Sequence, residues 1–388
     1  MDVFSLDKEY IANTYARFPI EIAGGKGSLV YDGAGREYID LGTGIAVNIF
    51  GVCDDGWTDA VNEQLHKFQH TSNLYYSEPC VKLAQLLCER TGMKRVFFGN
   101  SGAEANECAI KAARKYQAEN KGAEYYNIIT MKNSFHGRTI TTLAATGQDV
   151  FHSDFLPLTD GFLYAEANNL QSVEKLLSEN KCAAVMFETV QGEGGVIPLD
   201  ESFVKGLSCL AEKYDVLLID DEVQTGNGRT GELYGYMNYG VTPDIVTTAK
   251  GIGGGLPIGV CMLGNKCKDV FTPGSHGSTF GGNPVCCAGA YNILSRIDDE
   301  LLSSVREKSA LAVKMLSGAK GIKSVTGAGL MLGIETEKPA SDLVAACRER
   351  GVLVLTAKTK LRLLPALNIP DELFVKALEI IKDVCAED

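Results

Sequence analysis

The chain has 388 residues, 45% of them hydrophobic and 22% charged, with 42 glycines, enough for two or three domains and a large core. Its 37 Lys and Arg against 49 Asp and Glu leave a net charge of -12, which argues against a nucleic-acid surface but leaves room for a local basic pocket. The opening Met1-Asp2-Val3-Phe4 carries no basic leader, no apolar stretch approaches the roughly 18 residues of a membrane span, and the twelve cysteines form no C-x-x-C pair. A cytoplasmic enzyme with free thiols and no metal site is expected.

Residues 1–50 read as a lead-in segment that packs with the small domain. It holds a short helix over 6–12, Arg17-Phe18-Pro19, and a hairpin whose strands 28–31 and 38–41 flank the turn Asp32-Gly33-Ala34-Gly35. Trp57, Val61, Leu65 and Phe68 then recur at helical spacing, and Pro79 opens a second helix through Val81, Leu83 and Leu87. Core packing accounts for both. A strand over 93–98 leads into Gly99-Asn100-Ser101-Gly102-Ala103 and an alanine-rich helix to about Tyr116. Such a turn exposes backbone N–H groups at a helix start, where a phosphate could sit; standing alone, the segment is more often an ordinary serine N-cap.

The next strand, 127–131, ends in Ser134-Phe135-His136-Gly137-Arg138, which puts a ring, an imidazole and a guanidinium at one strand end. Phe135 could stack on a flat cofactor and Arg138 could grip a carboxylate with both its nitrogens; a lone histidine on such a turn is more often structural. A strand over 183–187 leads to Glu188-Thr189-Val190-Gln191-Gly192-Glu193, and a helix follows over 203–213.

The organising stretch is 216–250. Val216-Leu217-Leu218-Ile219 is a buried apolar run that stops at Asp220-Asp221-Glu222, and Ile245-Val246-Thr247-Thr248 runs into Lys250 and Gly251-Ile252-Gly253. Each residue alone is more often a cap or a surface charge. Together they bring an acid and a lysine to the carboxyl edge of a parallel sheet, where open α/β sheets bind ligands. Ser275 to Pro284 adds hydroxyls among glycines. After residue 284 the pattern becomes α+β: a long helix from Val285, strands near 330–334, 352–355 and 361–364, a helix over 340–350 and a last helix from Asp371. The expected units are 1–50, a large domain over 51–284 and a small domain over 285–388.

A lysine to anchor an aldehyde and an aspartate to keep a pyridine nitrogen protonated are what pyridoxal phosphate needs. Asn100-Ser-Gly-Ala-Glu-Ala-Asn-Glu107, Phe135-His-Gly-Arg138, Gln191-Gly-Glu-Gly194, Asp221-Glu-Val-Gln-Thr-Gly226, Lys250 and Gly277-Ser-Thr-Phe-Gly-Gly-Asn-Pro284 stand in the order of the class III pyridoxal-phosphate aminotransferases. The chain resembles that family over nearly its whole length, and most closely its members acting on acetylated ornithine. The resemblance implies the fold type I of these transferases: a large domain with a mostly parallel sheet flanked by helices, plus a smaller α+β domain.

It also implies roles. Lys250 would anchor the cofactor and shuttle a proton, and Asp221 would pair with the ring nitrogen. Gln224 would bond the ring oxygen and Phe135 would stack on the ring. Ser101, Gly102 and Ala103 would bind the phosphate, with Thr279 reaching the phosphate of a neighbouring subunit in a homodimer. Arg138 would hold the carboxylate remote from the reacting amine, and Ser278 would also contact substrate. Arg362 would hold the α-carboxylate of glutamate and 2-oxoglutarate, with Glu193 pairing with it when that carboxylate is absent. The implied donor is N2-acetyl-L-ornithine, with ornithine, succinylornithine or 4-aminobutyrate as alternatives.

Two segments depart from the family pattern. Gly51-Val-Cys-Asp-Asp55 stands where Gly-His-x-His-Pro is usual, and Glu188-Thr189 stands where Glu-Pro is usual. A rival reading, a nucleotide-binding oxidoreductase, rests on Gly226-Asn-Gly-Arg-Thr-Gly231, which lies five residues past the strand and opens no convincing helix. A non-catalytic binding protein would be expected to lack Lys250 or Asp221.

Overall fold

The computed structural model describes residues 2–387. Seven strands form its central sheet: β1 (Arg95–Gly99), β2 (Asn127–Met131), β3 (Phe162–Ala165), β4 (Cys182–Phe187), β5 (Leu217–Asp221), β6 (Ile245–Thr248) and β7 (Gly259–Leu263). Their spatial order is β1-β7-β6-β5-β4-β2-β3. β7 runs antiparallel to both its neighbours, and the other six strands share one direction. Six carboxyl ends therefore meet on one edge.

Two of these strands were not expected from the sequence. β3 is an apolar run of only four residues, Phe162–Ala165, at the lower limit of strand length and mostly half-buried at the sheet's end. β7 follows directly on the glycine-rich stretch after Lys250, which hides its start. Where it begins, a Cβ at Gly259 would lie 2.0 Å from the Ser101 carbonyl oxygen, so glycine lets this strand end touch the turn after β1.

Alternation along β5 sorts its side chains to two faces. Leu217 and Ile219 pack with Ala109, Ile110 and Ala113 of the helix Gly102–Asn120. Leu218, with Val216, packs with Phe203, Val204 and Leu207 of the helix Glu201–Tyr214. By the same parity Asp221 belongs to the first face and Asp220 to the second.

The C-terminal part is an antiparallel sheet of Ile322–Ala328, Met331–Thr336, Lys360–Leu363 and Leu355–Ala357, joined by the helices Asp299–Leu316, Ala340–Glu349 and Asp371–Ala386. The N-terminal strands Ile22–Lys26, Leu29–Asp32 and Glu37–Asp40 form another sheet, completed by Val352–Leu353. Several expectations need correction here. The expected strand over 352–355 is two, because Val352 pairs with Ile39 while Leu355 turns to pair with Arg362. The expected long helix from Val285 is also two, Pro284–Ser295 and Asp299–Leu316; the Asp298 carboxylate caps the second by accepting the Leu301 N–H at 2.9 Å. Leu65 and Val81 are exposed rather than core.

Ahead of the site, Thr43 to Ala46 forms a left-handed turn with φ of 46°, 63°, 65° and 62°. Such backbone costs about 1–2 kcal/mol per non-glycine residue. Asp40 offsets it by accepting the N–H groups of Gly42 and Thr43 at 2.8 and 2.9 Å, and Thr43 Oγ1 donates to the Leu364 carbonyl. Among the described residues no helix is long and apolar enough to cross a membrane.

Candidate active site

A cavity of about 630 Å³ opens at the carboxyl edge of the central sheet. Ser101, Gly102 and Ala103 line it from the turn after β1, Phe135 and Arg138 from the loop after β2, Asp221 and Gln224 from the end of β5, and Lys250 from the end of β6. Parallel pairing of Asp221 with Thr247 brings the acid and the lysine to neighbouring strand ends. The fold thus gathers eight of the expected residues around one space.

Asp221 is buried and fixed by three donors. Asn106 Nδ2 and His136 Nδ1 both lie 2.7 Å from its Oδ2, and the Val223 N–H donates to Oδ1 at 3.0 Å. Asn106 is itself held, donating to the His136 carbonyl at 2.8 Å and accepting from Thr247 Oγ1 at 2.7 Å. Three donors on two oxygens fix the position and orientation of this carboxylate at the cavity wall. Lys250 has φ of 46°, a left-handed value unusual outside glycine. Burial, with Arg362 adding to it, lowers its pKa against the opposing pull of Glu193, Asp221 and Glu188. A lysine amine so placed is more readily free to act as nucleophile or base.

Arg362, although inside a strand of the C-terminal sheet, is 3% exposed and does not reach solvent. It donates to Glu193 Oε1 at 2.5 Å and to Gln224 Oε1 at 3.1 Å, and Gln224 Nε2 lies 3.3 Å from the same Glu193 oxygen. Burial pushes the Glu193 pKa upward, but the Arg362 charge and hydrogen bonds outweigh it, so the group stays below the usual glutamate range. Glu188 behaves oppositely. It lines the cavity and accepts the Phe135 N–H at 2.9 Å, and burial, reinforced by Asp221, raises its pKa well above the ordinary value.

Thr279 and Ser278 do not line this cavity. Thr279 is exposed, and Ser278 Oγ accepts from Asn100 Nδ2 at 3.1 Å. Sequence reasoning missed four contributors: Asn106 and His136 as the holders of Asp221, and Tyr15 and Val47 as walls of the cavity. Asn106 lies within the quoted helix-start motif and His136 beside Phe135, so both stood in view. The segments carrying Tyr15 and Val47 show no periodicity that would bring them to this edge. The Gly226 to Gly231 stretch serves packing instead: Arg229 is buried and donates to the carbonyls of Leu330 and Pro365 at 3.1 and 2.5 Å.

The residues fit pyridoxal phosphate. The Gly102 and Ala103 N–H groups stand at the first helical positions, which lack intrahelical partners, and a Cβ at Gly102 would lie 2.7 Å from Val223. The chain matches the family model "Aminotransferase class-III" over residues 10–385. It is 47% identical over 384 residues to an acetylornithine aminotransferase of Haemophilus ducreyi, covering 98% of each chain. To a succinylornithine transaminase of Salmonella newport it is 44% identical over 387 residues, covering 97% of this chain and 95% of the relative. The solved ornithine aminotransferase of Toxoplasma gondii, which holds PLP at partial occupancy in its active site, superposes with a TM-score of 0.94 at 32% identity, over 99% of this chain and 93% of that one.

Proposed function

The chain belongs to the class III aminotransferases, and on that premise we propose that it transfers the terminal amine of N2-acetyl-L-ornithine to 2-oxoglutarate. The products would be N-acetyl-L-glutamate 5-semialdehyde and L-glutamate, a step of arginine biosynthesis. That the enzyme uses pyridoxal phosphate and moves an amino group from an amino donor to a keto acid follows from its family. The observation that carries the fuller reading is a pair of arginines of different standing: Arg362, neutralised by Glu193 and close enough to Lys250 to lower its pKa, and Arg138, which lines the cavity and meets no acid among the described residues.

When bound, the cofactor supplies a ring that accepts electrons from the carbon next to the substrate nitrogen. Asp221 would hold the proton on the ring nitrogen, with Asn106 and His136 keeping its carboxylate in place. The Lys250 amine would take a proton from the substrate carbon, helped by the lowered pKa that keeps the amine free. Phe135 would cover one ring face, Gln224 the ring oxygen, and the Ser101 to Ala103 turn the phosphate. With a terminal amine in place no carboxylate lies near Arg362, and Glu193 prevents a buried unpaired charge; with glutamate, the α-carboxylate displaces it.

An absorbance band near the visible edge, abolished by Lys250→Ala, tests the cofactor assignment. Comparing kcat/KM for N-acetylornithine, succinylornithine, ornithine and 4-aminobutyrate tests the donor. A preference for free ornithine would overturn the substrate and leave the chemistry standing.

The same reading includes a homodimer in which Thr279 and Ser278 serve the partner's site, supported by exposed Leu74, Tyr75, Tyr76 and Phe280 beside and within their segment. It also includes a cytoplasmic enzyme divided near residues 50 and 284. Light scattering that gave a monomer's mass would remove the shared-site part.

A further inference from the structure

The two arginines expected to hold carboxylates are kept ready in different ways. Arg362 is buried and paired with Glu193, an arrangement that must be broken each time a carboxylate arrives. Arg138 makes no ion pair and donates no hydrogen bond among the described residues. Its guanidinium carbon instead lies 4.1 Å from the centre of the Phe151 ring and 5.3 Å from that of Phe135. The two rings stand 83° to one another with centroids 6.0 Å apart, so Arg138 sits in an aromatic corner.

This corner is built into the backbone. Phe151 ends a short turn that is stitched to the loop carrying Phe135 and Arg138: Gln148 Nε2 donates to the Ser134 carbonyl at 3.0 Å and the Gly147 N–H to Ser134 Oγ at 3.0 Å. The next residue, His152, is anchored by its Nε2, 3.0 and 2.8 Å from the carbonyls of Leu143 and Thr146. A ring attracts a cation through its face without neutralising it, so the guanidinium keeps its planar hydrogen-bonding edge and full charge.

We propose that Phe151 is a specificity-determining positioning residue, whose ring orients the Arg138 guanidinium toward the substrate carboxylate that lies farthest from the reacting amine. The inference rests on the assignment of Arg138 made above. It explains why no acid guards Arg138. The remote carboxylate is present in the amino donor and again in glutamate, so this arginine never faces an empty site during turnover, whereas Arg362 does. A permanent aromatic support suits the first duty and a removable acid the second.

The test compares the holoenzyme with Phe151→Leu on two amines: N-acetylornithine, and the same chain lacking the carboxylate. Phe151→Leu is expected to raise KM about five- to tenfold for the carboxylate-bearing donor, the range of one partly exposed cation–π contact. kcat and the cofactor's absorbance should hold, the decarboxylated amine should be handled as by wild type, and Phe151→Tyr should return KM toward the wild-type value. An equal rise for both amines, or loss of cofactor from Phe151→Leu, would assign the ring a packing role and overturn the proposal. Arg138→Gln separates the two levels of inference. If it leaves the KM of N-acetylornithine unchanged, the carboxylate role of Arg138 fails and the proposal with it; if it raises that KM while Phe151→Leu does not, only the ring's role fails.

Discussion

Asp220 and Asp221 are adjacent, chemically identical and both buried at the end of β5, yet they occupy opposite electrostatic worlds. Asp221 faces the cavity with donors from Asn106, His136 and Val223. Asp220 points to the other side of the sheet, where neither of its oxygens meets a donor from the protein. Burial raises its pKa well above the ordinary aspartate value, and Glu222 close by raises it further. The carboxylate of Glu222 already accepts from Thr225 Oγ1 at 2.6 Å and from the Tyr236 N–H at 2.9 Å, so the proton of the pair belongs on Asp220. Burial does not decide what a carboxyl group does; the donors around it do.

The sharpest way to break this contrast is to replace each acid in turn. Asp221→Ala should cost about two to three orders of magnitude in kcat, the range for losing one preorganised electrostatic partner of a reacting group. Asp220→Ala should leave kcat of the folded enzyme within about threefold of wild type, because its face of the sheet does not reach the cavity. Steady-state kinetics on matched, cofactor-saturated samples distinguish the two. Comparable losses from both would mean that the sheet does not insulate one face from the other.

A smaller effect tests whether the donors, rather than the acid alone, make Asp221 useful. Asn106→Ala removes one charge-assisted hydrogen bond to Asp221 Oδ2 and leaves Thr247 Oγ1 without its acceptor. A loss of roughly tenfold in kcat/KM is expected, with a shift in the pH midpoint of the cofactor's absorbance. A change in thermal stability with neither kinetic nor spectral shift would make Asn106 a packing residue only.

The same strand shows what could be read beforehand and what could not. An apolar run stopping at acids, and another stopping at Lys250, were sufficient to place a site on the sheet edge, because both signals are local and follow from period and burial. Which of the adjacent acids faced the cavity followed from the resemblance, and the structure supplies the reason in the parity that puts Asp221 with Leu217 and Ile219. The pairing of Glu193 with Arg362 spans 169 positions and depends on how the C-terminal sheet docks, which no spacing encodes, so only the resemblance implied it. Phe151 was invisible for a similar reason. It lies beyond the Phe135 to Arg138 turn in a segment with no periodicity, and only the stitching through Ser134 brings the two together. The start of β7 is not legible in the sequence because the glycines of 251–255 and Gly259 itself carry a turn signal into the strand.

The smallest effect concerns stability and follows from the proton held by Asp220. In the unfolded chain this group titrates near the ordinary value of 3.8, whereas in the fold its pKa is well above that. Below 3.8 both states are protonated and folding costs nothing through this group. As pH rises, the unfolded chain releases the proton first while the fold retains it, so stability is lost progressively toward the folded pKa. Asp220→Asn has no such proton to lose and keeps the side chain's shape beside Glu222. Its melting temperature should therefore match wild type near pH 4 and exceed it by a few degrees at pH 8, scaled to a chain of this size. The measurement is a thermal melt of each protein across that range with the cofactor saturating, since ligand binding shifts the midpoint by itself. A difference that stayed constant with pH would show that Asp220 does not change its protonation between the two states, and the distinction from Asp221 would then rest on geometry alone.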